Sequence, residues 1–467
     1  MFFLLKINIF AWSGISNFWL TQSILGAYWL FFVLIVGVPA FLILGWLFFR
    51  LKTRTFLDIF LFASLWILAE HLKSLAFAVA SFGNESLFAP HSTLSFLGYI
   101  LASNGILLQL AQFGGVYLLS FVLVVINFSI YWGFFRSKKI QLELKFLILV
   151  VFIVFINIPL DIFIKEDKSK EQEIKVSVLQ TKNEAFFLTT TAKEKQKTKI
   201  YEKLLLKVRK ESPGSEIIIF PEDTRFTQEL IDRRKLENYY KSIFSDHEKM
   251  VIDSSRMLDE NNQTKLRLYY YDVEKAQMDK YDKLLFTPGG EYFPSIFIFL
   301  SRLIGFGDWA KELNEGKYTR GESIEIGHFK NKGIGGIFCF EITSPEISRK
   351  MTQKGAQLFV NPSSHSTFKG YPVLYNQIIN MTKVRAVENN RYFIQAGNYI
   401  NSSIITNKGE IVSTDFIGEE ILTENVFFIK KETVFTRFGN WFVGLSLVVV
   451  IIFIGWFLVL KKVDTLV

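Results

Sequence analysis

A single cysteine, Cys339, in 467 residues leaves no partner for an internal disulfide. The sequence also has no Cys/His spacing of a zinc site, no glycine-rich phosphate loop and no internal repeat of fixed period. Those absences set aside disulfide-stapled, zinc-centred, P-loop and solenoid classes. Charge is sparse too. Charged side chains make up 21% of the chain against 50% hydrophobic ones, too few for an ordinary soluble protein and too many for a pure bundle of spans, so the chain must divide. Much of the net charge of +9 sits in short loops and in a lysine-rich start to the polar block, where anionic lipid headgroups suit it. Nothing resembles a nucleic-acid-binding module, and no nucleic acid is expected as a partner.

What the chain does have is length without charge. Residues 24–49 and 441–460, and the shorter 146–160, read as membrane spans. Residues 56–80 and 86–135 are also apolar, interrupted only by Asp58, Glu70, His71, Lys73 and His91, and residues 1–23 form a weaker span that lacks the small-residue cleavage site of a signal peptide. Basic clusters at Arg50-Leu-Lys52-Thr-Arg54, Arg136-Ser-Lys138-Lys139 and Lys461-Lys462 belong on the cytoplasmic side. Placing all three there makes the chain a multi-pass protein of the cytoplasmic (inner) membrane, with about five spans before the polar block and one after. The block itself is then extracytoplasmic, or periplasmic. The expected divisions are an N-terminal transmembrane bundle over 1–164, a charged linker over 165–173, a catalytic domain over 174–432, and a C-terminal span with basic tail over 433–467.

Inside the block, strand and helix patterns alternate. Strands are expected at 174–180, 216–220, 249–253, 265–273, 333–338, 357–360 and 392–396, with a hairpin over 403–412 turning at Asn407-Lys-Gly409. Helical stretches run up to about Arg209, from Cys339 to near Lys354, and over 374–390. An α/β layered domain of this size has room for a substantial core.

Three islands in this domain carry chemistry: Pro221-Glu222 at a strand end, Tyr281-Asp-Lys283, and Cys339-Phe-Glu341. A carboxylate, an ammonium and a thiol together suffice to make and break an acyl bond. Singly each has a plain alternative: a packed core cysteine, a helix-capping glutamate, a solvated surface lysine. Conjunction is what favours function. A cysteine that ends a strand and opens a helix is expected to have its thiol pKa lowered by the helix N-terminus. Just after the lysine island, the stretches 293–300 and 303–306 are apolar outside any strand pattern, as suits a lid that dips into a bilayer and admits acyl chains.

Tyr281-Asp-Lys283 followed by Pro288-Gly-Gly-Glu291-Tyr-Phe-Pro294, with Pro221-Glu222 before and Cys339-Phe-Glu341 after, resembles the nitrilase superfamily, and more closely its membrane-embedded branch, the apolipoprotein N-acyltransferases. Glu70-His-Leu-Lys73, the segment from Leu108 through Gly115-Val-Tyr117 to Asn127, the helix bearing Gln377, Met381, Arg385, Glu388 and Arg391, and Thr436-Arg-Phe-Gly439-Asn-Trp441 extend the resemblance over nearly the whole chain. It implies a four-layer αββα sandwich beside an α-helical transmembrane bundle. Its implied catalytic residues are Glu222 as general base, Lys283 as oxyanion stabiliser and Cys339 as nucleophile, with Glu291, Phe340 and Glu341 supporting. The implied partners are a phospholipid acyl donor and a diacylglyceryl-modified lipoprotein acceptor, with no cofactor. A membrane-tethered carbon-nitrogen hydrolase, or an acyltransferase with a different amine acceptor, is the alternative enzyme and a non-catalytic scaffold the third reading. The chain departs from the family pattern in a shorter N-terminal region, in Phe340 where Tyr is frequent, in His365-Ser-Thr-Phe-Lys-Gly370, and in Asn398-Tyr-Ile-Asn401.

Overall fold

The computed structural model describes residues 38–83, 91–135, 172–183, 191–244, 248–260, 262–288, 290–312, 318–366, 372–414 and 418–464. The expected spans 1–23 and 146–160, the basic cluster 136–139 and most of the linker lie outside the described residues.

Among the described residues three helices are long and apolar enough to cross a membrane: Asp58–Phe82, Ala111–Tyr131 and Trp441–Leu460. A shorter apolar helix, α1 (Val38–Leu51), packs against the first of them, α2 (Asp58–Phe82), and against α3 (Ala111–Phe135). Phe48, Phe62 and Phe128 interlock these helices with ring centroids 5.1 to 5.8 Å apart. The apolar stretch 86–135 is not one span. Its part over Leu97–Ser103 is a 3-10 turn folded into the protein, and its backbone donors are met by side chains of the bundle: Leu97 N donates to Glu70 Oε1 (2.8 Å) and Gly98 N to Ser120 Oγ (2.8 Å). Lys73 Nζ donates to Ser95 O (3.4 Å). Glu70 and Lys73 therefore secure an irregular segment, which is tolerated beside lipid only when its polar groups are buried in protein.

The polar block is a sandwich of two six-stranded sheets. Strands β1 (Gln172–Gln180), β2 (Ile217–Ile219), β3 (Met250–Leu258), β4 (Thr264–Asp272) and β5 (Gln277–Asp282) form the first sheet, and β12 (Glu420–Phe428) closes it by antiparallel pairing with β1. The second runs in order from β11 (Ile411–Thr414) through β10 (Ser403–Ile405), β9 (Tyr392–Asn398), β8 (Ala356–Ser364) and β7 (Lys332–Gly336) to β6 (Gly327–Phe329). Alternation along the strands assigns each side chain its layer. Val176, Val178, Ile217, Ile219 and Ile252 point into the core between the sheets, while Leu179, Ile218 and Val251 face α4 (Thr191–Glu211), α5 (Phe226–Asp232) and α6 (Leu236–Ile243). The apolar stretch expected as a lid forms α7 (Ser295–Leu303) and α8 (Gly307–Glu312), and Leu303, Phe306 and Trp309 remain 67%, 62% and 56% exposed. Beyond the second sheet lie α9 (Pro345–Gln353) and α10 (Pro372–Asn389), which gives helix, sheet, sheet and helix layers.

A buried polar network joins bundle to sandwich. Gly115 takes a left-handed conformation (φ 63°) that breaks α3, and the freed Val116 N donates to Glu388 Oε1 of α10 (2.8 Å). Glu388 pairs with Arg385, which donates to Tyr99 Oη and, through Nε, to Ile342 O (3.1 Å). Beside it, Thr93 N donates to Thr343 O (2.8 Å). Both members of the ion pair are fully buried.

Candidate active site

Glu222 leaves the end of β2, Lys283 follows β5, and Cys339 follows β7, so three strand ends from both sheets deliver the expected residues to one place. Lys283 Nζ stands 2.6 Å from Glu291 Oε1 and 3.5 Å from Glu222 Oε1, with its side chain wholly buried. The Glu222 carboxylate and the Cys339 thiol are near enough to act on each other's pKa, and Glu222 Oε2 accepts from Ser364 N (3.0 Å). Glu291 is held in turn by Thr287 N, which donates to Oε2 (2.6 Å). The face of Phe338 lies 5.0 Å below the Lys283 ammonium.

Cys339 itself has φ 45°, a left-handed backbone that a side chain with a Cβ adopts only when its surroundings impose it. The residue opens a 3-10 turn, Cys339–Thr343, and the α-helix begins later, at Pro345. This alters the expected electrostatics. Burial first, and then the Glu222 carboxylate, push the Cys339 thiol well above its usual range, outweighing the lowering by Lys283. Burial also raises the Glu222 carboxyl, and Glu291 adds to that, against the pull of Lys283. For Lys283, burial opposes the charge, but Glu291 and then Glu222 overcome it and hold the ammonium above its ordinary range. The resting site thus holds a protonated thiol beside Glu222, with a fixed cation shared between two acids.

Glu341 does not enter the pocket. Fully buried, it accepts from Tyr281 Oη (2.8 Å), Leu284 N (2.7 Å), Leu285 N (3.2 Å) and Phe338 N (2.9 Å). It ties the segment after Lys283 to the segment before Cys339. Phe340 is partly buried and packs on the core between the sheets. Asn361, near the end of β8, was not singled out by the sequence, yet its Nδ2 donates to Ile337 O (2.6 Å) and Cys339 O (3.3 Å). The one available signal was a polar Asn361-Pro-Ser-Ser364 run ending a buried strand. Of the divergent loop, His365 is buried, its pKa driven down to about 3 by burial, so the ring is neutral, and 367–370 lie outside the described residues. Asn398 bridges Asn183 N (2.7 Å) and Ser364 Oγ (2.9 Å), which makes the divergent Asn398-Tyr-Ile-Asn401 segment a brace between strand ends.

Comparison with known proteins adds a second line. Residues 1–129 match the apolipoprotein N-acyltransferase N-terminal domain and residues 234–426 match the carbon-nitrogen hydrolase domain. An apolipoprotein N-acyltransferase of Geobacter metallireducens is 26% identical over 396 residues, covering 82% of this chain and 70% of the relative. Apolipoprotein N-acyltransferase 1 of Treponema denticola is 25% identical over 438 residues, covering 85% and 76%. Over most of its length the chain is similar to the apolipoprotein N-acyltransferases. Among solved structures, a carbon-nitrogen hydrolase from Helicobacter pylori G27 aligns with 58% of this chain and 94% of its own, at 15% identity and a TM-score of 0.43.

Proposed function

We propose that the protein moves a fatty acyl chain from a membrane phospholipid, through a thioester on Cys339, to the N-terminal α-amine of the diacylglyceryl-cysteine of an apolipoprotein. The observation that carries this reading is the convergence of Glu222, Lys283 and Cys339 from three strand ends on one buried site, where Lys283 pairs with Glu222 and both charges act on the Cys339 thiol. The acceptor follows from the relatives that bear the name apolipoprotein N-acyltransferase.

The thiol is protonated at rest, so its proton passes to Glu222 as sulfur attacks the ester carbonyl. Lys283 and the backbone N–H of Phe340 stabilise the resulting oxyanion. Collapse breaks the acyl C–O bond, Glu222 returns the proton to the departing glyceryl oxygen, and the lysophospholipid leaves. The acceptor amine then attacks the thioester and gives a proton to Glu222. The C–S bond breaks, the sulfur takes that proton back, and an amide departs. A thioester carries enough acyl-transfer potential for this exchange with no cofactor. Glu291 keeps Lys283 charged, and Glu341 fixes the distance between the lysine and cysteine segments. The apolar α7 and α8 enter the outer leaflet and lead acyl chains to the site. With the basic loops inside, the sandwich lies on the extracytoplasmic face of the cytoplasmic membrane.

Incubation with acyl-labelled phospholipid tests the reading. An acyl group of matching mass on Cys339, transferred on addition of a diacylglyceryl lipopeptide, is the expected result, and Cys339→Ala abolishes the label. Free fatty acid without amide identifies a hydrolase instead, and undiminished acylation by Cys339→Ala rejects the assignment.

A further inference from the structure

The loop that follows Glu222 carries more cationic charge than its own carboxylate balances. Asp223 stands at the centre. Arg225 Nε reaches its Oδ1 at 3.0 Å, Arg256 Nε reaches its Oδ2 at 2.9 Å, and Lys197 Nζ donates to its backbone oxygen at 2.6 Å. Asp223 and the buried Asp253 beneath it leave these three cations a formal excess of one positive charge.

This is a built arrangement. Asp223 and Arg225 both hold left-handed backbones (φ 56° and 61°), and β3 pins them there: Asp223 N donates to Ser254 Oγ (2.9 Å) and Arg225 N to Ser254 O (3.1 Å). Below them the buried Asp253 accepts from Thr227 N (2.8 Å). Arg256 remains 40% exposed at the side chain. Its contact with Asp223 ties it to the residue next to Glu222, and although burial opposes its charge, Asp223, then Tyr318, Glu222 and Glu291 together raise its pKa.

From Arg256 a rim of cations and aromatic faces leads to the membrane. Its guanidinium lies 5.4 Å from the Tyr318 ring, Tyr318 meets Phe286 (6.1 Å), Phe286 meets Tyr292 (6.4 Å), and Tyr292 stacks on Phe82 at the end of α2 (5.2 Å). Arg320 sits 4.0 Å over the Phe82 ring. Meanwhile the pocket formed by Glu222, Glu291 and Lys283 carries a formal charge of one negative, and its lysine is occupied by two acids. An anionic lipid approaching this pocket meets repulsion unless cations hold its headgroup.

We propose that Arg256 and Arg225, with Arg320 on the bilayer side, bind the phosphodiester of the lipid whose acyl chain is taken. A guanidinium fork suits phosphate oxygens, and rearrangement around Asp223 frees donors without leaving that carboxylate unpaired. The inference rests on the acyl-transfer reading and deepens it: a diacylglyceryl-cysteine has no phosphate, so these arginines distinguish donor from acceptor.

The test uses the full-length protein in one detergent, given phosphatidylglycerol or diacylglycerol with the same labelled acyl chain, and follows acyl-Cys339 by mass. In Arg256→Gln the preference for phosphatidylglycerol over diacylglycerol, as a ratio of kcat/KM for acylation, falls about tenfold or more, the scale of one charge-assisted contact. It falls further with Arg225→Gln added, and Arg256→Lys recovers part. An unchanged ratio, or equal loss with both donors, overturns the proposal. So does inhibition by inorganic phosphate as strong as that by glycerophosphoglycerol, which assigns the cluster to free phosphate. If wild-type protein forms no acyl-Cys339 from either donor, the acyl-transfer reading falls and takes this inference with it, a result separate from a flat ratio.

Discussion

Glu341 is fully buried and accepts four hydrogen bonds, and burial lifts its pKa from 4.5 to about 7 against the backbone N–H groups of Phe338 and Leu284, Lys283 and Tyr281. Because the folded value lies above the unfolded one, the native state keeps a proton that the unfolded chain releases. That contribution is complete below about 4.5 and is lost as pH rises through about 7, on the order of 3 kcal/mol in all. Thermal unfolding of Glu341→Gln between pH 5 and 8 is expected to lack this downward slope, and a variant with the wild-type slope would remove Glu341 as its source. Glu222 and Cys339 were legible because each follows an apolar run, whereas Lys283 follows a polar strand and was picked out by the Tyr281-Asp-Lys283 motif. The backbone of Cys339 was not. A helix was expected to start at the thiol and lower its pKa, whereas the chain inserts a 3-10 turn first and burial prevails. Glu341 was named by its place two residues past Cys339, but its partners, like those of Asn361, are groups that only folding brings near.

At the scale of elements, α7 and α8 hold the exposed apolar surface nearest the site. Gly83, left-handed at φ 58°, lets the end of α2 approach the start of α7 so closely that a Cβ there would lie 3.0 Å from Ser295 Oγ. Leu303→Ser with Phe306→Ser touches only exposed side chains, so folding should persist. Acylation from phospholipid in vesicles is expected to drop several-fold, in proportion to the apolar area lost to the bilayer, while a short-chain soluble ester is affected less. Equal effects on both substrates would exclude a membrane role for these helices. Strands β1 to β4, β7 to β9 and the hairpin β10–β11 were readable from apolar alternation and from the Asn407-Lys-Gly409 turn. Strand β5 was not, because Gln277-Met-Asp-Lys280 is polar and mostly solvated at the edge of its sheet, where side chains carry no core pattern. The 86–135 stretch misled for the converse reason: burial inside protein makes a connector as apolar as a span.

For the whole molecule, the Arg385–Glu388 pair at the junction of bundle and sandwich sets a test of coupling. Arg385→Met leaves a buried carboxylate without its cation and is expected to cost about 3–5 kcal/mol. Adding Glu388→Gln should recover part of that, as a double-mutant cycle on unfolding would measure. Strict additivity would mean the pair is not coupled. Orientation has its own check. In a Cys339→Ser background, Asp232→Cys on the exposed end of α5 is expected to react with a membrane-impermeant maleimide in intact spheroplasts, and labelling only after lysis reverses the topology.

The hydrogen bond from Val116 to Glu388 has a practical corollary. Because a membrane helix is capped by the sandwich, and because Thr93 of the bundle grips the carbonyl of Thr343, the floor beneath the reactive sulfur is shared property of the two halves. Cutting away the greasy half to obtain a convenient water-soluble fragment bares those carbonyls and frees the turn to wander. Anyone seeking a minimal version of this protein must carry its lipid-facing half along.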